Sequence, residues 1–165
     1  MKKLIFVRHG KAEDPSSGIS DYERSLTLKG KIISRVMGKK LRQIEKSPVT
    51  IISSPAFRAI ETALIFALEF GFEPDKIILN SYIYYKMNIR HLAEIISGAG
   101  ENCETIIIFG HNPSFTEIVS SLCKEGCDFM PKTSVAGISF DVMKWPEIRQ
   151  KSGKLEYFLK PDKES

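Results

Sequence analysis

Two histidines of this 165-residue chain each follow a short apolar run and lie beside residues suited to binding an anion. Arg8-His9-Gly10 comes directly after the apolar run 3–7, and Gly110-His111-Asn112-Pro113 comes directly after the run 105–109. A neutral imidazole is a competent nucleophile toward phosphorus when nearby cations neutralise the charge of the phosphoryl group. The spacing therefore predicts one phosphoryl-transfer site that contains both histidines.

Arginine side chains supply the expected contacts to the phosphoryl oxygens. Arg8 precedes the first histidine, and Arg58 lies one turn into a helix that is predicted to begin at Pro55 with Ser54 as its cap. A guanidinium group can contact two phosphoryl oxygens at once and keeps its charge at neutral pH. Arg24, at the end of a polar loop, is expected to close over the bound anion.

The residues that follow the histidines are expected to bring backbone close to the ligand. Gly10 permits a sharp turn, whereas Asn112 suits an N-cap and Pro113 the first position of a helix. The free amides and positive dipole end of such a helix favour an anion. Gly10 and Asn112 are therefore predicted to bind substrate together with Arg24.

This set of residues predicts two displacements at one site. The phosphoryl group would pass to His9, and water would then attack the phosphoenzyme while His111 and the arginines stabilise the charge on the equatorial oxygens. Glu13 and Asp21, both in the loop after the nucleophile, are candidates for a general acid. Nothing beyond proximity selects either of them.

The elements that must position these residues alternate between strand and helix. Apolar runs predict strands at 3–7, 49–52, 76–79, 105–109, 135–142 and 154–159, and three- and four-residue apolar spacing predicts helices at 28–44, 56–70, 88–96 and 113–123. This order indicates an α/β, three-layer sandwich: a mainly parallel central sheet of about six strands with helices on both faces. Ligands of such sheets bind beyond the carboxyl ends of the strands, where the histidines are expected.

The composition fits one globular domain over residues 1–160, followed by a polar tail over 161–165. The formal net charge of +4 is spread over scattered lysines, which favours anionic substrates and gives nucleic-acid binding little support. No apolar run approaches the roughly 20 residues of a membrane span, and the amino-terminal run is too short for a signal peptide. We therefore expect a cytoplasmic protein without membrane contact.

The three cysteines, Cys103, Cys123 and Cys127, lack the paired spacing of a zinc site and cannot all pair within one chain. Free thiols are expected, and no metal or other cofactor is predicted. We also expect a monomer.

Three ordered blocks resemble the histidine phosphatase superfamily, which includes phosphoglycerate mutases and acid phosphatases. They are Arg8-His9-Gly10, Ser54-x-x-x-Arg58-Ala59-x-x-Thr62-Ala63 and Gly110-His111-x-Pro113. The short chain, the block Asp21-x-x-Arg24-x-Leu26-Thr27-x-x-Gly30 and Thr133-Ser134 are most similar to the SixA branch, the phosphohistidine phosphatases. The resemblance implies that His9 becomes phosphorylated, that Arg8, Arg58 and His111 line the phosphate pocket, and that Arg24 joins them.

One departure from the mutase-like branch bears on the substrate. That branch carries a Leu-x-Glu acid after the third strand, where this chain has Tyr82-Ile83-Tyr84-Tyr85, whose rings could line the substrate mouth or simply pack. A phosphorus–nitrogen bond to imidazole breaks with less help from an acid than an ester bond does. A phosphohistidine-bearing protein is thus the expected substrate. Two alternatives remain open: small phosphomonoesters with Glu13 or Asp21 as acid, and a non-catalytic module that binds phosphate or a phosphoprotein.

Overall fold

The sheet contains six strands in the computed structural model, which describes residues 1–16 and 18–162. The strands are β1 (Lys2–Arg8), β2 (Thr50–Ser53), β3 (Ile78–Leu79), β4 (Thr105–Gly110), β5 (Val135–Phe140) and β6 (Lys154–Leu159), in the spatial order β3-β2-β4-β1-β5-β6. Strands β3, β2, β4 and β1 are parallel, and β5 and β6 add two antiparallel pairs at the β1 side. The prediction of a mainly parallel sheet of about six strands is confirmed.

Four helices cover the two faces of this sheet. They are α1 (Leu28–Ile44), α2 (Phe57–Phe70), α3 (Ile89–Ser97) and α4 (Ser114–Leu122). Successive side chains of β1 alternate between two cores, because neighbouring residues of a strand point to opposite faces. Leu4 and Phe6 lie in the core with α3 and α4, while Ile5 and Val7 lie in the core with α1 and α2. The predicted three layers are confirmed.

Three helix starts differ from their predicted positions by one or two residues, and two of them, those of α2 and α4, lie next to the site. Helix α2 begins at Phe57 instead of Pro55, although the Ser54 hydroxyl still accepts a hydrogen bond from the Ala56 amide at 3.2 Å. Helix α4 begins at Ser114, one residue after Pro113. Ala56, before α2, has an extended backbone, whereas Pro113, before α4, already has helical dihedral angles. Both residues lie at the edge where the site forms.

Three further observations concern the whole described chain. Its three cysteines are all unpaired, as expected from their spacing. No helix within residues 1–16 and 18–162 is long and apolar enough to cross a membrane. Strands from both ends of the sequence join the same sheet, β1 near its centre and β6 at its edge.

Candidate active site

The carboxyl ends of β1, β2 and β4 meet at one edge of the sheet, since β4 lies between the other two. The backbone hydrogen bonds to β4 continue for one residue past the ends of β1 and β2. The His9 amide donates to the Gly110 carbonyl at 3.0 Å, and the Ser54 amide donates to the Phe109 carbonyl at 3.0 Å. The imidazole rings of His9 and His111 therefore lie side by side, with their centroids 5.1 Å apart.

A cavity of about 270 Å³ opens at this edge. It is lined by the two histidines, four cationic side chains and three other residues: His9, His111, Arg8, Arg24, Arg58, Lys132, Ala12, Asp14 and Asn112. The volume lies just below the roughly 300–1,000 Å³ of pockets for drug-sized ligands. The excess of positive charge and the small size suit a phosphoryl group.

His9 is held as a neutral ring with one free lone pair. Its Nδ1 lies 2.7 Å from the Gly10 carbonyl oxygen, and because a carbonyl only accepts, Nδ1 carries the proton. Burial and, to a smaller extent, the nearby His111, Arg58 and Arg8 together lower the pKa of His9 to about 3, while the bond to Gly10 opposes the shift. The Nε2 lone pair is thus available at neutral pH, which is the state that a nucleophilic imidazole requires.

His111 is positioned by Ser54, a residue that the sequence predicted only as a helix cap. Its Nε2 lies 2.8 Å from the Ser54 hydroxyl oxygen, and burial and the charge of Arg58 lower the pKa of His111 to about 4. Its Nδ1 is buried and has no partner in the described part of the chain. If Ser54 donates to Nε2, Nδ1 carries the proton, and this is the tautomer that an anion close to Nδ1 would favour.

Arg8 is fixed by the segment that precedes β5. Its Nη1 donates to the Met130 carbonyl at 3.0 Å, and its guanidinium lies 5.4 Å from the centroid of the Phe129 ring. Thr133, which adopts a φ of 62°, donates its amide to the carbonyls of Arg8 and His9. A non-glycine residue in this region of backbone space is uncommon and is retained where surrounding contacts enforce it. Residues 129–134 thus hold the Arg8 guanidinium and the backbone of Arg8 and His9 in place.

Arg58 is fixed by contacts to the loop after β1. It donates to the Asp21 carboxylate at 3.0 Å and to the Asp21 carbonyl at 2.7 Å. The Thr62 hydroxyl donates to the Arg58 carbonyl at 2.7 Å and accepts from the Gly10 amide at 3.1 Å. Glu61, the partner that a purely structural role for Arg58 would suggest, instead accepts from the Leu26 amide at 2.7 Å.

Arg24 lines the cavity, and its guanidinium is held in the loop. It donates to the Asp21 carboxylate at 2.9 and 3.1 Å and to the Glu13 carbonyl at 2.7 Å. The Tyr84 hydroxyl donates to the same carboxylate at 2.9 Å. Partial burial tends to raise the pKa of Asp21, but the hydrogen bonds from Tyr84, Arg24 and Arg58 outweigh it and lower this pKa to about 2. Asp21 is therefore an anion that ties the two arginines together.

Neither predicted general acid lies on the cavity wall. The Glu13 carboxylate accepts from the Ser25 amide at 3.1 Å, and Asp21 carries no proton to donate at neutral pH. Asp14 is the one carboxylate among the residues that line the cavity. It lies in the same polar loop, and proximity in sequence could not separate it from its neighbours.

Gly10 has a different task from the predicted contact with substrate. It is not among the residues that line the cavity, and it does not adopt a positive φ. A Cβ at this position would lie 2.8 Å from the Ser34 hydroxyl and 3.2 Å from the Gly30 carbonyl of α1. Gly10 therefore allows a close approach to α1, and its carbonyl orients His9.

Asn112 lines the cavity, but its side chain serves the protein. Its amide nitrogen donates to the Met130 carbonyl at 2.8 Å, and its oxygen accepts from the Thr116 amide at 3.2 Å. The amides of Phe115 and Glu117 donate to backbone carbonyls. The expected open helix terminus is thus largely satisfied internally, and the anion contacts fall to the side chains.

The tyrosines after β3 divide between the two roles left open by the sequence. The Tyr84 ring lies 5.8 Å from the His111 ring and bonds to Asp21, so it borders the site. Tyr82 stacks on His91, with ring centroids 4.6 Å apart, and so serves packing outside the cavity.

Within the described residues, no cluster of three or more His, Cys, Asp or Glu side chains could hold a metal ion.

Comparison with known sequences matches residues 4–78 to the histidine phosphatase superfamily (branch 1), a segment that includes His9 and Arg58. A protein of Picosynechococcus sp. with no assigned function is 36% identical over 74 residues. That match spans 44% of this chain and only 45% of the relative.

Solved structures share the fold over almost the whole chain. A protein histidine phosphatase SixA complexed with tungstate has a TM-score of 0.80 at 19% identity and covers 96% of this chain and 97% of its own. The SixA structure from Agrobacterium tumefaciens gives 0.77 at 19%, with 97% and 98% covered. A mycobacterial glucosyl-3-phosphoglycerate phosphatase gives 0.65 at 14%, with 94% and 97% covered. Residues 4–78 thus match the histidine phosphatase superfamily (branch 1), and the chain as a whole has the fold of the SixA structures.

Proposed function

We propose that this protein is a phosphohistidine phosphatase that forms a covalent phosphoenzyme on His9. The observation that carries the proposal is the state of this ring: neutral, with Nδ1 bound to a carbonyl and Nε2 unprotonated, in a small cavity walled by Arg8, Arg58 and His111. A neutral imidazole surrounded by fixed cations is poised for attack on a dianionic phosphoryl group.

In the first displacement the Nε2 lone pair of His9 attacks phosphorus, and the bond from phosphorus to the substrate imidazole breaks. The electron pair of that bond leaves with the substrate nitrogen, and the substrate ring, which carries a proton on its other nitrogen, departs as neutral imidazole. The His9 ring gains positive character, which the Gly10 carbonyl stabilises through the proton on Nδ1. The guanidinium groups of Arg8 and Arg58 and the Nδ1 proton of His111 face the negative charge on the equatorial oxygens.

In the second displacement water attacks the phosphorus of the phosphoenzyme from the side vacated by the substrate. The bond from phosphorus to His9 Nε2 breaks, inorganic phosphate forms, and the neutral ring returns. The same cations serve both steps, because the charge on the equatorial oxygens is alike in each. Guanidinium groups thus take the part that metal ions play in other phosphoryl-transfer sites, and we propose that the reaction needs no metal or cofactor.

The substrate class follows from the leaving group. An alkoxide leaves a phosphoryl group poorly without a proton donor, whereas the imidazole of a phosphohistidine leaves readily. The two carboxylates predicted as donors are unsuited, because Asp21 is held as an anion by two arginines and Glu13 lies off the cavity wall. The likeness in fold to a SixA described as a protein histidine phosphatase, complexed with the phosphate-like tungstate ion, supports the same assignment.

Phosphate release from a phosphohistidine-bearing peptide and from a panel of phosphomonoesters tests the proposal. We expect faster turnover of the phosphohistidine substrate, and a loss on the order of 10³-fold or more in His9→Ala, because the nucleophile is gone. His91→Ala is the matched control, since that ring packs on Tyr82 outside the cavity. No release above the His9→Ala background would refute the proposal.

Asp14 keeps a phosphomonoesterase as the second candidate, since its carboxylate lines the cavity and could protonate a leaving alkoxide. Comparison of Asp14→Asn with Asp21→Asn decides between the two functions. If esters are the true substrates, Asp14→Asn loses ester turnover by about 10²-fold, the usual contribution of a general acid. We expect instead that Asp14→Asn hydrolyses phosphohistidine at close to the wild-type rate.

A further inference from the structure

A second and larger groove adjoins the catalytic cavity. Its volume is about 1,020 Å³, and two side chains, Arg8 and Lys132, line both spaces. A molecule whose phosphoryl group occupies the cavity can therefore extend past these two cations into the groove. The groove is far too large for the phosphoryl group itself, so its shape concerns the remainder of the substrate.

The groove is strongly cationic. Lys11, Lys29 and Lys160 join the two shared cations on its walls, and Asp162 is the one carboxylate among the described residues that line it. All three of these lysines are exposed. The formal charge of the whole chain is only +4, so five cations against one carboxylate mark a concentrated positive field.

Apolar side chains lie between the cations. Ile33 of α1 and Phe129 line the groove, and the Phe129 ring is 65% exposed while it covers the Arg8 guanidinium. Pro131 and Pro161 add rigid apolar surface. An exposed aromatic ring among cations fits a peptide that presents carboxylates and one or two apolar side chains.

We propose that this groove binds an acidic segment of the phosphoprotein whose phosphohistidine enters the cavity. The proposal rests on the proposed function and names the part of the substrate that is recognised away from the reacting atoms. Since Arg8 and Lys132 line both the cavity and the groove, the occupant we assign to the groove is the polypeptide attached to the phosphorylated side chain. Charge complementarity makes that polypeptide acidic near the phosphohistidine.

The test compares two peptides of equal length that carry one phosphohistidine, with flanking glutamates in one and glutamines in the other, and free phosphohistidine as a reference. We expect kcat/KM for the glutamate peptide to exceed that for the glutamine peptide by on the order of tenfold, the effect of several exposed charge pairs. A Lys29→Glu, Lys160→Glu double variant should lose this preference, because both lysines line the groove and neither lines the cavity.

The matched control reverses two exposed lysines outside the groove, Lys39→Glu and Lys46→Glu, so that the net charge changes equally. It should keep the preference, and all variants should hydrolyse free phosphohistidine at the wild-type rate. Absence of a preference in the wild type, or equal loss in both double variants, would overturn the proposal. Stronger competition by single-stranded RNA than by polyglutamate would also overturn it, in favour of a nucleic-acid groove.

A binding measurement separates this proposal from the proposed function. Fluorescence anisotropy with an unphosphorylated, labelled glutamate peptide needs no turnover and applies equally to the His9→Ala protein. Binding that is lost in the Lys29→Glu, Lys160→Glu variant and kept in the control would support the groove even if no phosphohistidine substrate is hydrolysed. Hydrolysis of phosphohistidine without such binding would refute the groove and leave the catalytic assignment standing.

Discussion

The two ends of β1 both carry buried or partly buried cations, but the protein treats them differently. At the amino end, Lys2 is only 2% exposed, and its ammonium donates to the carbonyls of Glu101 at 3.1 Å and Cys103 at 2.9 Å. Lys3 pairs with the Glu45 carboxylate at 2.8 Å. Charge that is buried here has partners within the fold, as expected where a cation serves stability alone.

At the carboxyl end the cations are less completely satisfied. The Nε atoms of Arg8 and Arg58 and the Nδ1 atom of His111 are buried and have no partner among the described residues. The fourth such atom, the Ser34 hydroxyl oxygen, belongs to α1 near Gly10 at the same edge. Unsatisfied buried groups reduce stability, so their concentration at one edge of the sheet indicates a ligand site. The two ends thus differ: the cations at the amino end have partners within the fold, whereas those at the carboxyl end keep hydrogen-bonding groups without a partner among the described residues.

Removal of one cation near each end of β1 should lower activity in one variant and stability in the other. Arg58→Met should lower kcat/KM by about 10²–10³-fold, the usual cost of losing one charge-stabilising donor. Its effect on stability should be small, because its partner Asp21 is half exposed. Lys2→Met should do the reverse and lower the free energy of unfolding by about 1–3 kcal/mol, since it removes the hydrogen bonds that the buried ammonium donates to the carbonyls of Glu101 and Cys103.

Steady-state kinetics and urea unfolding of the two proteins provide the readout. Lys2 lies at the far end of a strand of seven residues, roughly 20 Å from Arg8, so the folded Lys2→Met protein should keep wild-type kcat/KM. Equal losses of activity in both variants would contradict the division between the two ends.

Two adjacent buried serines, Ser53 and Ser54, allow the same comparison between a structural and a site residue. Ser54→Ala removes the hydroxyl that holds His111 and should lower kcat by about tenfold, or about 1.4 kcal/mol, the strength of one buried hydrogen bond. Ser53→Ala is the matched control. Its hydroxyl is also buried but donates to the Ser54 carbonyl and does not reach the imidazole. Similar kcat values for the two variants would remove Ser54 from the positioning of His111.

The smallest expected effect is that of pH. Because the pKa values of His9 and His111 are lowered to about 3 and about 4, both rings stay neutral from pH 8 to pH 5. The midpoint of the acid limb of the kcat/KM profile should therefore lie below pH 5, and not near the ordinary histidine pKa of 6.5. An acid limb centred near pH 6.5 would show that the nucleophile is not the buried ring.

The same shifts predict how stability depends on pH. In the unfolded chain the two histidines bind protons as the pH falls below about 6.5, whereas in the folded chain they stay neutral until about pH 4. The unfolded state then binds more protons, so stability is lost as the pH falls through this window. His9→Asn should reduce that slope in urea unfolding between pH 6.5 and pH 4.

Much of the site could be predicted from the sequence because it lies directly after strands. The residues that follow two neighbouring parallel strands must meet at one edge, so His9 and His111 could be paired without knowledge of the fold. Arg58 follows for the same reason, since α2 starts at that edge. The strands and helices themselves were predictable because their apolar spacing is regular, with errors of at most two residues at the ends.

The parts that the sequence did not predict depend on contacts between distant segments. The bond between Ser54 and His111 joins residues 57 positions apart, and the support of Arg8 by Met130 joins residues 122 positions apart. The loop after β1 carries four carboxylates within one polar stretch, so only coordinates could separate Asp14, which lines the cavity, from Asp21, which binds the arginines. Loop conformation is set by such contacts and carries no periodic signal.

The most direct test of the account is to locate the phosphoryl group during turnover. The protein is mixed rapidly with excess phosphohistidine peptide, quenched in alkali to preserve phosphoramidate bonds, digested and analysed by mass spectrometry. We expect an acid-labile phosphoryl group on His9 that forms and decays at rates consistent with kcat and is absent from His9→Ala. Phosphate release at the normal rate without modification of His9, or with the phosphoryl group on His111, would contradict it.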